Sequence, residues 1–512
     1  MLLHTLLRQF SPEIPLQGIQ NVEISGVRED SRQARAGDLF VARGGTKTDG
    51  RRFVADAQAK GALAVVTSEA IGQCALPQVI VRDAGAAGSA LAQILMGEPS
   101  KGLRMLGITG TNGKTTTAYL IRHILASVKQ RCGVIGTVEI DDGRSRREAS
   151  MTTPSGIELA ELLAAMRDNG CQACAMEVSS HALDQGRVAG LHFAAAAFTN
   201  LTGDHLDYHQ TMENYAGAKA KLFEKLDQGS VAVVNLNDRW SQRMLRDCRA
   251  RAVQFGIGTS GDYRAEDIAI RAQGSRFILV TPDGRDEVRM RLIGRHNIAN
   301  ALTAAALVGE VCGVSVHQIA QAMGTAAGAP GRLQPVQCGQ SFAVLVDYAH
   351  TDDALENVLT ALRPLTKGRL RVLFGCGGDR DRTKRPRMAA VAERLADVIY
   401  LTSDNPRTED AQAIIDEIVS GLPADVVLSG ASRSCQAGPS PCGRQTRVVV
   451  DVDRRSAIER VLNDAVNGDV VVLAGKGHEN YQIIGTEKRH FDDVEEATRV
   501  LQARRTAATA RP

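Results

Sequence analysis

Met105-Leu106-Gly107-Ile108-Thr109-Gly110-Thr111-Asn112-Gly113-Lys114-Thr115-Thr116 is the stretch from which the fold is read. Its first four residues form a buried strand pattern, and the apolar spacing from Ala118 through Leu120, Ile121, Ile124, Leu125 and Val128 predicts a helix after it. The turn between them has the chemistry of a phosphate cradle. Glycines let backbone N–H groups approach phosphate oxygens, Lys114 reaches the terminal phosphates, the Thr115 hydroxyl suits magnesium, and the helix start favours an anion. Ile108 occupies the position of the first glycine in the strict G-x-x-x-x-G-K-[ST] pattern, so the turn alone specifies ATP binding and no particular reaction.

Downstream, strands are predicted at Ala173–Val178, Phe193–Thr199 and Val231–Asn235, with helices between several of them, which is the rhythm of a mostly parallel sheet wrapped by helices. Upstream, Asp38–Ala42 and Ala62–Val66 are short apolar runs of a smaller α/β unit, ended by a linker at Glu98-Pro99-Ser100-Lys101-Gly102. A second break falls at Gly328–Pro335, and the strand and helix alternation then resumes at Leu370–Phe374, Val398–Thr402, Val448–Val452 and Val470–Ala474. The reading is an α/β protein of three domains: 1–98, 99–332 and 333–512. Ser429–Thr446, rich in Ser, Gly and Pro, is expected to be a mobile loop, and the last ten residues a frayed tail.

Bulk properties agree. The 512 residues exceed one hydrophobic core, and at about 150 residues per domain they suggest three. No apolar run approaches the roughly 18 residues of a membrane span. The start, Met1 to Arg8, is interrupted by His4 and Arg8 and lacks a signal-peptide pattern, so a cytoplasmic protein without a membrane span is expected. A net charge of +3 marks no nucleic-acid surface and favours small-molecule partners. The ten cysteines are read as reduced thiols. Cys171-Gln172-Ala173-Cys174 has the spacing of half a zinc site, without a second pair to complete it.

Ligands of open parallel sheets bind beyond the carboxyl ends of the strands. At those ends stand Gly110–Thr116, Glu177-Val178-Ser179-Ser180-His181, and Thr199 to His209 with Asp204, His205 and Asp207. Glu177 suits magnesium as an oxygen ligand, or hydrogen bonds to nearby backbone. In the last third, strands lead into Gly375–Arg382, Asp404-Asn405-Pro406-Arg407 and Gly475-Lys476-Gly477-His478-Glu479. Arginine forks suit carboxylates and a glutamate suits an ammonium group, so these loops fit a zwitterionic amino acid; surface salt bridges are the alternative.

Together with His296-Asn297 and Asp347-Tyr348-Ala349-His350, these motifs cover nearly the whole chain, and by them the sequence resembles the Mur ligases of peptidoglycan synthesis, in particular their diaminopimelate-adding members. The resemblance implies an N-terminal domain for the UDP end of the substrate, a central P-loop ATPase and a C-terminal Rossmann-like domain for the amino acid. Ser31 and Thr46, Lys47 and Thr48 match UDP-sugar contacts; Thr152, Thr153, Ser179, Gln185 and Arg187 match contacts to the rest of the muramoyl-dipeptide. Gly110, Thr111, Asn112, Gly113, Lys114, Thr115 and Thr116 would cradle ATP, with Asn297 and Asp347 at adenine and ribose and Arg332 at the nucleotide. Thr115, Glu177, His205 and Lys219 would serve Mg²⁺. Lys219 reads by itself as a helix-surface lysine, but the resemblance implies that it is carbamylated and catalytic, alongside Lys114 and His205. Arg380, Asp404, Asn405, Pro406, Arg407, Gly475 and Glu479 would surround diaminopimelate.

The implied reaction joins meso-2,6-diaminopimelate to UDP-N-acetylmuramoyl-L-alanyl-D-glutamate through an acyl phosphate, performed by a monomer. Arg407 separates this reading from a lysine-adding member, because a second carboxylate pairs with the fork and an ammonium does not. The UDP-type N-terminal segment separates it from a folylpolyglutamate synthase, and loops in two domains from a nucleotide-switched binding protein. Asp352 departs from the family pattern, which has proline there.

Overall fold

The computed structural model describes residues 1–44, 49–271, 273–423, 433–439 and 445–509, with 433–439, 445 and 507–509 described by backbone. Three large sheets follow one another along the chain. The first contains four parallel strands in chain order, Gly26–Arg28, Asp38–Ala42, Ala64–Thr67 and Gln78–Ile80. The helices Leu3–Phe10 and Ala84–Leu95 close one of its faces. Ile157 and Ala160, from the Gly156–Asp168 helix of the next unit, complete that core, so the first two units share apolar packing.

The central sheet has 11 strands. Parallel pairing runs from Tyr263–Arg271 through Arg251–Ile257, Val231–Asn235, Ala195–Phe198, Arg104–Thr109 and Ala173–Glu177 to Cys132–Ile135. Antiparallel strands extend both edges: Gly274–Thr281 and Gly284–Met290 on one, Glu139–Asp141 and Arg146–Glu148 on the other. Alternation along the strand quoted above divides its side chains between two cores. Leu106 and Ile108 pack with the Lys114–Ser127 and Arg295–Cys312 helices, whereas Met105 packs with the Gly156–Asp168 and Met212–Glu224 helices.

The third sheet orders its seven strands as Gln334–Pro335, Ala343–Asp347, Val470–Ala474, Leu370–Phe374, Val398–Leu401, Gln445–Val450 and Arg433–Pro439, with the inner pairings parallel and both outer ones antiparallel. Two buried ion pairs brace it. Arg371 meets Asp469 at 2.7 Å, and Arg454 meets Asp493 at 2.6 Å while donating to the Ala474 carbonyl at the end of a central strand.

Three local expectations change. The 98–102 segment is not a free linker: after a left-handed turn at Glu98, Pro99–Gly102 forms a 3-10 turn, and buried Ser100 accepts from the His192 N–H. Proline at the turn's start has the φ such a turn needs. Within 429–446, Arg433–Pro439 is a strand paired with Gln445–Val450 rather than loop; 429–432 and 440–444 lie outside the described residues. Of the last ten residues, those to Thr509 continue the Asp493–Thr509 helix, anchored by buried Ala497, Val500 and Leu501, and 510–512 lie outside the described residues.

Removing one member of a fully buried ion pair strands the other charge. Asp493→Ala is therefore expected to cost about 3–5 kcal/mol, read as a lowered urea midpoint for the C-terminal unit; an unchanged midpoint would assign no stability to the Arg454–Asp493 pair.

Candidate active site

The Arg104–Thr109 strand is flanked by Ala173–Glu177 and Ala195–Phe198, the chain having crossed from one side to the other, so its carboxyl end is a topological switch point. The glycine-rich turn emerges there. Gly110 and Gly113 have φ of +150° and +89°, and a Cβ on either would collide with Thr199 Oγ1 or Asn300 Oδ1 respectively. The loop is pinned from below by Asn200, whose Oδ1 accepts the Asn112 N–H at 2.9 Å and whose carbonyl accepts the Thr111 N–H at 2.8 Å. Lys114 Nζ donates to the Gly110 and Thr111 carbonyls at 2.9 and 2.8 Å. Lys219 Nζ reaches the same Gly110 carbonyl at 2.9 Å from the Met212–Glu224 helix.

Lys219 is thus internal, 1% exposed, with its amine over the Tyr215 ring; it is not the surface lysine that its helix pattern suggested. Burial, reinforced by the charge of Lys114, drives its pKa well below the usual lysine range. Burial also lowers Lys114, against the opposing carboxylates of Glu177 and Asp204. Glu177 ends its strand fully buried, accepting from the Thr137 N–H and hydroxyl at 2.9 and 3.0 Å. His205 has φ of +54°, stands 3.4 Å from Asp204 and keeps 45% of its side chain exposed; the walls of the cleft still desolvate the ring enough to lower its pKa, against the pull of that carboxylate.

Two clefts open from this point. One, of about 440 Å³, is lined by Asn112, Gly113, Thr116, Asn297, Arg332 and Asp347, among others. Arg332 Nη2 donates to Thr115 Oγ1 at 3.3 Å and lays its guanidinium over the Tyr348 ring, 4.5 Å from its centre. Asn297 is held by the Ile293 carbonyl, and Asp347 accepts from the N–H groups of Leu333 and Ala349, its pKa raised by burial against the charge of Arg332.

The second cleft, of about 670 Å³, lies between the central and third sheets. Thr152, Thr153, Ser179, Arg187 and His205 line one side; Arg380, Asp404, Asn405, Arg407, Gly475 and Glu479 line the other. Gln185 is set back, accepting from Arg187, and Pro406 sits behind the wall. Ser31 is buried in the first unit and lines neither cleft, while Thr46, Lys47 and Thr48 lie outside the described residues. Tyr348 and His350 line both clefts.

The C-terminal loops are organised by Lys476, which is 0% exposed and reaches Asn405 Oδ1 at 3.2 Å, Asp404 at 3.3 Å and Glu479 at 3.8 Å. Burial works against the charge of Asp404, but Lys476 and Arg454 outweigh it and hold this carboxyl below its usual range. Glu479 goes the other way, raised by burial and by Asp404 beside it. Arg407, at φ of +53°, donates to the Gly378 carbonyl at 2.7 Å and keeps the rest of its fork toward the cleft. The arginines divide by role: Arg382 and Arg385 are tied to Glu417 and Glu409, the surface-pair alternative, whereas Arg380 and Arg407 face the cleft.

Several residues went unrecognised as site members in the sequence. Asp353 accepts from Asn112 Nδ2 at 2.7 Å, joining the phosphate loop to the third unit. In the sequence nothing marked it beyond its place next to Asp352. Lys476 and His478 lay within a quoted motif but had no chemistry that separated them from their neighbours.

The sequence matches the Mur ligase family, catalytic domain over residues 23–90, the Mur ligase middle domain over 108–308, and the Mur ligase, glutamate ligase domain over 331–477. Proteins named UDP-N-acetylmuramoyl-L-alanyl-D-glutamate--2,6-diaminopimelate ligase resemble it end to end: that of Gloeobacter violaceus is 43% identical, with 99% of each chain covered, and that of Bacillus cereus 40% identical, with 98% of this chain and 99% of the other covered. A solved structure of that name superposes with a TM-score of 0.68 at 34% identity, covering 97% of this chain and 99% of the other. A MurF ligase of Thermotoga maritima in complex with ADP shares the fold, with a TM-score of 0.60 at 16% identity over 94% of this chain and 98% of its own. With a glycine-rich turn at the sheet's switch point, a second cleft lined by Arg, Asp and Glu side chains and this likeness along its whole length, the chain belongs to the Mur ligase family.

Proposed function

We propose that the protein catalyses the ATP-dependent joining of meso-2,6-diaminopimelate to UDP-N-acetylmuramoyl-L-alanyl-D-glutamate, with release of ADP and phosphate. The observation that carries this reading is the wall the two clefts share: Tyr348 and His350 line both, so a nucleotide beside Asn112, Gly113 and Thr116 in one would meet a carboxylate beside His205, Ser179, Thr152 and Arg187 in the other. We assign residues 1–98 to the UDP end, 99–332 to ATP and 333–512 to the amino acid. Both clefts are lined by one chain, which suits a monomer, and ATP as substrate suits the cytoplasm.

The phosphoryl group passes from ATP to the side-chain carboxylate of D-glutamate, breaking the bond to the β-phosphate oxygen. The amine nitrogen of diaminopimelate then attacks the acyl carbon, inorganic phosphate leaves, and the ammonium product gives up a proton. Positioning and charge stabilisation supply the rate, with no covalent enzyme intermediate. Lys114 neutralises charge at the transferring phosphoryl group, and the N–H groups of Gly113, Lys114 and Thr115 at the helix start hold the polyphosphate.

Magnesium fits the donor set. Glu177, the Thr115 hydroxyl and His205 are oxygen and nitrogen donors beyond the ends of three adjacent strands, too few for a cage, as Mg²⁺ keeps waters and takes only one or two protein carboxylates. Bound there, it would neutralise the β and γ oxygens. Lys219 supplies the second carboxylate in this reading: an amine held neutral by burial reacts with carbon dioxide to give a carbamate. Arg407 selects diaminopimelate by pairing with its distal carboxylate, while Glu479 and Asp404 face its ammonium.

ADP release should require both the UDP-linked dipeptide and diaminopimelate, and cease with EDTA; release that is indifferent to any amino acid defeats the reading. Arg407→Ala should lower kcat/KM for diaminopimelate by about 100-fold, roughly the 3 kcal/mol of a charged hydrogen-bonded pair, and unchanged kinetics would remove it from the specificity site. Incubation with carbon-13 bicarbonate should give a carbamate NMR signal that Lys219→Ala lacks; equal spectra from both proteins would leave Lys219 unmodified.

A further inference from the structure

Lys384 opens the Lys384–Leu395 helix, directly after the Gly375–Thr383 loop of the third sheet. It is 8% exposed, yet it lines the larger cleft together with Asp204, His205 and His350. Its neighbours on the helix are accounted for. Arg385 forks onto Glu409 and Glu417, and Arg387 pairs with Asp352 at 3.2 Å. Among the described residues, Lys384 alone of these three has no carboxylate within 4.0 Å and no hydrogen-bonding partner for its amine.

An ammonium on a cleft wall with no carboxylate within 4.0 Å is free to meet an anion bound in that cleft. Three anionic positions compete for it. The carboxylates of the incoming amino acid face Arg380 and Arg407 on the outer wall. The UDP end lies toward the first unit. What remains is the junction, and the lining of the clefts places Lys384 there: it shares the larger cleft with Asp204, His205 and His350, and His350 also lines the cleft beside the glycine-rich turn. The helix start at Lys384 adds the positive end of a three-turn dipole on the same side.

We infer that Lys384 is a catalytic residue of the phosphoryl transfer, contacting the migrating phosphoryl group from the C-terminal unit while Lys114 contacts it from the central one. The group then moves between two cations: its bond to the β-phosphate oxygen breaks, its bond to the substrate carboxylate forms, and charge on its three equatorial oxygens is met from both sides. Because one cation belongs to each unit, the stabilisation is complete only when the two units are apposed.

The inference rests on the ligase reading, and one measurement separates them. Positional isotope exchange, the scrambling of a labelled β,γ-bridge oxygen of ATP in the presence of the UDP-linked dipeptide and magnesium but no amino acid, reports reversible phosphoryl transfer alone. Its absence from the unaltered protein overturns both readings. With exchange present there, Lys384→Met should slow exchange and kcat by about 100-fold, the loss typical of one preorganised charge-stabilising donor, while KM for diaminopimelate stays within about threefold and Lys384→Arg recovers at least tenfold. Arg387→Met, which removes only a partly exposed pair, should remain within about threefold of the unaltered protein. Exchange undiminished in Lys384→Met, a raised KM for diaminopimelate as its main effect, or an arginine variant no better than methionine would each overturn the role of Lys384 and leave the ligase reading standing.

Discussion

Two lysine amines share one carbonyl oxygen, that of Gly110, in a place with little water. Neither amine has a carboxylate within 4.0 Å among the described residues, and the charge of Lys114 adds to the electrostatic cost of protonating Lys219. This arrangement is tolerable in two ways: an amine gives up its proton, or an anion arrives. Both outcomes serve a phosphoryl-transfer site. In the proposed mechanism the deeper lysine, pressed toward its neutral form by burial, is the nucleophile for carbon dioxide, and the outer one meets the polyphosphate. The glycines, the buried strand end and the Tyr215 ring beneath the inner amine all follow from the need to hold this crowded carbonyl in place.

The second constraint is that the nucleotide cleft is built from both sides of a domain boundary. Asn112 is bonded to Asp353, and Thr115 to Arg332, so each end of the phosphate turn is tied to a segment of chain more than two hundred residues away. Arg332 in turn lies on the Tyr348 ring, which also stands 5.1 Å from the ring of His478 in the C-terminal loops. The family departure at position 352 fits this picture. Asp352 begins the Asp352–Leu362 helix, where a negative charge is favoured, and holds Arg387 of the neighbouring helix at 3.2 Å. Proline would supply the helix start but not that tie.

Much of this was legible because it is local. A buried strand, a turn of glycines and a helix are contiguous in sequence, and the rule that ligands gather beyond strand ends picked out Asp204, His205, Asp207, Asp404, Asn405, Arg407, Gly475 and Glu479, which line the larger cleft, whereas Glu177 is buried and lines neither. What escaped depends on partners far along the chain. Lys219 looked like a surface residue since nothing near it in sequence reveals that its helix face meets the phosphate turn 109 positions earlier. Composition misled at 433–439, where Ser, Gly and Pro accompany a strand whose ladder needs only backbone. The antiparallel extension through Tyr263–Met290 was unread because its alternation is diluted by charged residues on the solvent side. Lys384 carried no signal at all within its basic run.

The wall formed by Tyr348 and His350 belongs to both clefts. A partition with a ligand on each side is an energetic go-between: whatever occupant stiffens it from one face lowers the ordering cost for an occupant of the other, and by thermodynamic reciprocity the benefit runs equally in both directions. For inhibitor chemistry the same geometry has a practical meaning. Two weak fragments seated on opposite sides of one thin aromatic partition are close enough for a short tether, and tethering turns the second binding event into an intramolecular one with a high effective concentration.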